Sequence, residues 1–92
     1  MRVVVRFTGM FRHYTGERER AYELPEGARV DDLLARVGRD YASRLPLQVW
    51  DPNAERFHPL IRATRRGAPI PDQGEGLREG DEIYLISRMA GG

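Results

Sequence analysis

One apolar stripe constrains this chain more than anything else in it. Val30, Leu33, Leu34, Val37 and Tyr41 fall at i, i+3, i+4, i+7 and i+11, the spacing of a single amphipathic helix that must bury one face. No second stripe of that length follows, whereas period-two alternation appears on both sides of it. Val3, Val5 and Phe7 alternate with Arg2, Val4 and Arg6, and Arg20 to Leu24 resumes the pattern after a turn at Thr15-Gly16-Glu17. This reads as a hairpin with a rather long loop. Leu60 to Arg65 alternates again, and Ala68-Pro69-Ile70 suits a short edge strand, where proline is tolerated. Glu82 to Ser87 is the last strand. Hairpin, helix, strand, short strand, strand implies an α+β domain, one main helix laid across a mixed sheet of four to five strands.

The domain is expected to span 1–87, leaving 88–92 as a flexible C-terminal tail. Ninety-two residues fit one domain with one small core. Leu45, Leu47, Val49 and Trp50 point to a short strand or a packed loop within 42–59, a segment the pattern does not resolve. Asp31 and Asp32 sit in the first helical turn, where the macrodipole favours negative charge. Arg29 stands at the N-cap and offers no acceptor, so the helix start is expected to be weakly capped.

Composition removes whole classes of function. With no cysteine there is no disulfide, thiolate metal site or cysteine nucleophile. A net charge of +1 argues against attachment to nucleic acid by charge alone. Arg65-Arg66 is read as a solvated turn rather than a contact to nucleic acid or an acidic partner. No run approaches the roughly 20 apolar residues of a membrane span, and Met1 to Arg6 breaks into charge too early for a signal peptide. A cytoplasmic protein with no membrane or nucleic-acid partner is expected. There is no phosphate loop, no metal-ligand motif and no Ser-His-Asp set, and His13 and His58 read as ordinary surface histidines. The chain is expected to catalyse nothing alone and to bind no metal or cofactor itself.

What remains is the tail, Arg88-Met89-Ala90-Gly91-Gly92. Five to six extended residues reach on the order of 17–20 Å, enough to enter a partner's active site. Glycines pass a narrow channel and leave the final carboxylate unhindered. All fifteen basic residues are arginine. That reflects either a GC-rich genome and a preference for the guanidinium, or the advantage, to a chain with an activated C-terminus, of lacking amines that its own kind could acylate.

Four segments in order, Val3 to Phe7, Leu24 to Leu34, Gly80 to Ile83 and Ala90 to Gly92, resemble the MoaD/ThiS family of ubiquitin-like sulfur carriers. The resemblance implies a β-grasp fold and a carrier cycle. A ubiquitin-activating-type enzyme would use ATP to adenylate the Gly92 carboxylate, and sulfur would replace AMP. The thiocarboxylate would then serve a biosynthetic enzyme. The length of 42–59 favours the molybdopterin-synthase small subunit, acting with the large subunit, over the shorter thiamine carriers. A protein modifier joined through Gly92, a carrier for thiamine or another pathway, and an interaction domain with an accidental Gly-Gly are the alternatives. Three departures from the family pattern are Arg29 in place of a capping threonine, Arg65-Arg66-Gly67 in place of an asparagine-glycine turn and Ser87-Arg88-Met89 in place of a proline-containing approach.

Ile83-Tyr84-Leu85-Ile86 is apolar throughout, although a half-covered sheet needs only alternate residues inside. The family resemblance and the pairing of Ile83 with Leu85 imply that these two face the helix. Tyr84 and Ile86 would lie on the open face as a partner-binding pair, unless Trp50 or Phe57 folds over them.

Overall fold

A computed structural model describes residues 1–66 and 68–88. In chain order it contains β1 (Arg2–Phe7), α1 (Met10–Thr15), β2 (Glu19–Glu23), α2 (Val30–Tyr41), a 3-10 turn (Ala42–Arg44), β3 (Trp50–Asp51), β4 (Arg56–Phe57), β5 (Ile61–Arg65), β6 (Ala68–Pro69) and β7 (Glu82–Ser87). Among the described residues the main sheet runs β2-β1-β7-β5-β6. Among the described strands of this sheet β1 and β7 pair in parallel, Val5 beside Ile83 and Phe7 beside Leu85, and the other described pairings are antiparallel. The last strand therefore lies at the centre of the sheet, between β1 and β5.

The helical stripe behaves as its spacing requires. Val30, Leu33, Leu34, Val37 and Tyr41 are all buried against Val3, Val5, Phe7, Ile83 and Leu85. Full burial of each Val or Leu contributes about 1.5–3 kcal/mol, so this one seam carries much of the core. Segment 42–59 resolves into the 3-10 turn and a small β3–β4 hairpin, which pairs Trp50 with Phe57. Trp50 is buried against Gly38 in the middle of α2. The helix gives up a side chain there so that an indole can lie on it.

Three expectations need correction. The span between β1 and β2 is not only a loop, since Met10–Thr15 is helical. Phe11 enters the core, and the Thr15 hydroxyl donates to the Phe11 carbonyl at 2.8 Å. One and a half turns carry too few apolar positions to show a period. The start of α2 is also better satisfied than its N-cap residue predicts. Arg29 supplies no cap, but the Asp32 carboxylate accepts the Arg29 N–H at 2.9 Å. The Val30 and Asp31 N–H groups donate to the carbonyls of Glu75 and Gln73 at 2.9 and 2.8 Å. A loop about 45 residues downstream thus caps the helix.

That loop is held by Arg65. Its guanidinium donates to both Asp81 carboxylate oxygens at 3.1 and 3.0 Å, to Glu75, and to the Gly76 carbonyl at 3.3 Å. These carboxylates, Asp81 foremost and then Glu75, raise the Arg65 pKa. Arg65 is accordingly a clamp rather than half of a solvated turn. Arg66 does turn the chain, at φ 50°, and its side chain is exposed and paired with Glu82 at 3.2 Å.

Candidate functional site

The strand that carries the tail has two unlike faces. Ile83 and Leu85 are fully buried under α2, while Tyr84 and Ile86 are only partly covered on the opposite face. Cross-strand register sets Thr64 beside Tyr84 and Arg62 beside Ile86, with Arg6 beside Tyr84 on the other flank. Thr64, Arg66, Tyr84 and Ile86 line a shallow depression. Segment 42–59 does not cover it. Trp50 and Phe57 meet edge to face with centroids 4.9 Å apart, and Phe57 meets Phe11 the same way at 6.0 Å, within the helix-side core. The apolar pair on β7 is left facing outward.

Charge borders this patch at the beginning of β7, away from the tail. Arg6 bridges Glu82 at 2.8 Å and Glu19 at 3.0 Å, and Arg66 reaches the other Glu82 oxygen. The hydrogen bond to Glu82, then the charge of Glu19, raises the Arg6 pKa. These are exposed pairs that orient more than they stabilise.

At the other end the root of the tail is tied down on both flanks. The Arg88 N–H donates to the Leu60 carbonyl at 2.8 Å, and the Thr8 hydroxyl donates to the Leu85 carbonyl at 2.8 Å. Leu60 and Met10, which opens α1, are exposed apolar residues beside these two anchors. Neither was legible as a site residue. Leu60 read as the first position of a strand and Met10 as part of a loop. The carrier residues expected at Met89, Ala90, Gly91 and Gly92 lie outside the described residues. Arg88, the first residue of that expected tail, is exposed. No group of three or more His, Cys, Asp or Glu side chains placed to hold a metal occurs among the described residues. No helix among them is long and apolar enough to cross a membrane.

A mixed sheet gripping one long helix, with its last strand at the centre and a partly apolar open face, defines a ubiquitin-like β-grasp protein. Two solved structures share this fold over nearly the whole chain. SAMP1 from Haloferax volcanii superposes with a TM-score of 0.79 at 20% identity and full coverage of both chains. Urm1 from Trypanosoma brucei gives 0.74 at 16% identity, covering 99% of this chain and 95% of its own. Sequence assigns the family: the model of the ThiS family matches residues 5–92, and the chain belongs to that family of sulfur carriers. A curated relative, the molybdopterin synthase sulfur carrier subunit of Chlamydomonas reinhardtii, is 27% identical over 92 residues, all of both chains.

Proposed function

We propose that this chain is the sulfur-carrying small subunit of a molybdopterin synthase, a co-substrate for partner enzymes rather than a catalyst. The observation that carries the proposal is the end-to-end match to the Chlamydomonas carrier subunit, with no part of either chain left over. A carboxylate is a poor electrophile until its oxygen becomes part of a leaving group. An adenylating enzyme of the ubiquitin-activating type would join the Gly92 carboxylate to the α-phosphate of ATP and release pyrophosphate. A sulfur nucleophile then displaces AMP and leaves a thiocarboxylate, which donates its sulfur on the synthase large subunit. Arg88, Met89, Ala90 and Gly91 thread the carboxylate into each active site, and Tyr84 and Ile86 dock the domain. The central position of β7 supports this division, because a terminus leaving the sheet between two paired strands has a rigid root.

Intact-mass measurement of the chain purified from its native host tests the reading. A gain of about 16 Da, sulfur for oxygen at the activated carboxyl, is the expected result. Higher-mass conjugates to other proteins, without that species, would instead make it a modifier. Deleting Gly92 should abolish sulfur transfer and leave the melting temperature unchanged, as for a terminus that contributes nothing to packing.

A further inference from the structure

The chain has fifteen arginines and no lysine, and the fold allows the arginines to be sorted by need. Arg65 and Arg6 use the guanidinium fork, each spanning two carboxylates, a geometry an ammonium cannot supply. Arg20 lies over the Tyr22 and Tyr41 rings at 5.0 and 5.5 Å, and Arg36 over Tyr22 at 5.4 Å, where a planar cation packs well. Arg12, Arg18, Arg56 and Arg78 are different. All four are exposed, and their side chains form no hydrogen bond, ion pair or ring contact among the described residues. Lysine would satisfy every structural demand at those positions. Packing therefore explains arginine at part of the set only.

Position supplies the second observation. β5 runs antiparallel to β7 and sets Arg62 directly beside Ile86. α1 follows Thr8, which is bonded to Leu85, and so places Arg12 near the same end of the sheet. Both lie within the reach of a five-residue tail, on the order of 17 Å. An amine at either place would see the tail carbonyl at an effective concentration of order millimolar. The Met1 nitrogen, by contrast, donates to the Leu24 carbonyl at 2.7 Å. It also lies beyond the start of β1, which parallels β7, and hence at the far end of the sheet from the tail root.

We propose that the lysine-free surface makes this chain an acyl donor only, protecting its activated C-terminus from capture by itself or by a second copy. This rests on the reading that Gly92 is activated. The step being prevented is ordinary aminolysis. An ε-amine nitrogen would attack the Gly92 carbonyl carbon, the bond from that carbon to the AMP oxygen would break, AMP would leave with the electron pair, and the ammonium proton would pass to water. The product, an isopeptide, would be a dead end for a carrier that must return to its free carboxylate after each cycle.

The test uses the full chain as a Gly92 thioester of a small alkyl thiol, made by thiol cleavage of an intein fusion, so that no activating enzyme is needed. Wild type, Arg12→Lys, Arg62→Lys and Arg78→Lys are incubated side by side and followed by intact mass and peptide mapping. Wild type should lose the thiol by hydrolysis alone. Arg12→Lys and Arg62→Lys should each accumulate cyclised or self-joined amide at the new lysine, roughly tenfold above wild type, since held proximity drives the reaction. Arg78→Lys, at the opposite end of the sheet, should give less. The proposal is overturned if the lysine variants self-acylate no faster than wild type, or if wild type self-acylates as fast as they do. Because the thioester is made chemically, either outcome is independent of whether the native protein carries sulfur.

Discussion

The indole of Trp50 occupies the space that a side chain at Gly38 would need. A Cβ built on Gly38 would stand 2.0 Å from Trp50 Cζ3 and 2.3 Å from Cε3 and Cη2. Glycine in mid-helix normally costs about 1 kcal/mol relative to alanine, so Gly38→Ala would be expected to stabilise an exposed helix. Here the sign reverses. Trp50 is 2% exposed and held by Phe57, and overpacking of this kind costs about 1–3 kcal/mol or more. Gly38→Ala should lower stability by about 2 kcal/mol net, seen as a lower urea midpoint with unchanged slope. A stabilised variant would mean that the indole moves aside freely.

The two faces of β7 predict opposite responses to charge. Leu85→Asp puts a carboxylate into a fully buried site against α2 and should unfold the protein. Ile86→Asp, on the open face beside Arg62, should change stability by less than about 1 kcal/mol. It should weaken binding to the activating enzyme or synthase by about 2 kcal/mol or more, a hot-spot loss. Calorimetric titration and thermal melts on both variants check this. If Ile86→Asp unfolds and Leu85→Asp binds normally, the faces are misassigned.

Arg65 couples the sheet to the helix cap, and its loss should loosen both. Removing it leaves Asp81, whose side chain is 10% exposed, and Glu75 without their cation. Arg65→Ala should cost about 2 kcal/mol, within the range for charged hydrogen bonds. Arg65→Lys should recover little of that, since one ammonium cannot replace the fork. Faster hydrogen exchange at the Val30 and Asp31 amides, which depend on this loop, is the specific signature.

Stability should also fall in alkali, and the sign follows from Tyr22. Its ring is buried at 3% exposure, and burial foremost raises the hydroxyl pKa above its ordinary value near 10. Burial likewise raises that of Tyr41, aided by its hydrogen bond to Glu17. A raised folded-state pKa gives stability that is complete below the unfolded value and is lost as pH climbs through the folded one. Unfolding free energy should therefore be flat near neutrality and decline above about pH 10. Tyr22→Phe should flatten part of that decline; an identical alkaline slope in the variant would exclude Tyr22 as its source.

Local periodicity was enough to read the main helix, the outer hairpin and the last strand. Each follows from residues a few positions apart, and a buried face imposes its period on the sequence. The inward set Ile83 and Leu85 needed the family resemblance as well, because all four residues from Ile83 to Ile86 are apolar. The outward pair, Tyr84 and Ile86, followed from that assignment, as the two apolar residues that a half-covered sheet leaves outside. Tertiary structure decided what depends on contacts across the chain. It placed β7 between β1 and β5, laid Trp50 on Gly38, and turned Arg65 from an apparent turn residue into the clamp of a helix cap. Those outcomes rest on groups 10 to 78 residues apart meeting in one place, and no local pattern encodes such a meeting. The short helix Met10–Thr15 belongs with them, since a helix of six residues is held by its packing of Phe11 rather than by its own propensity.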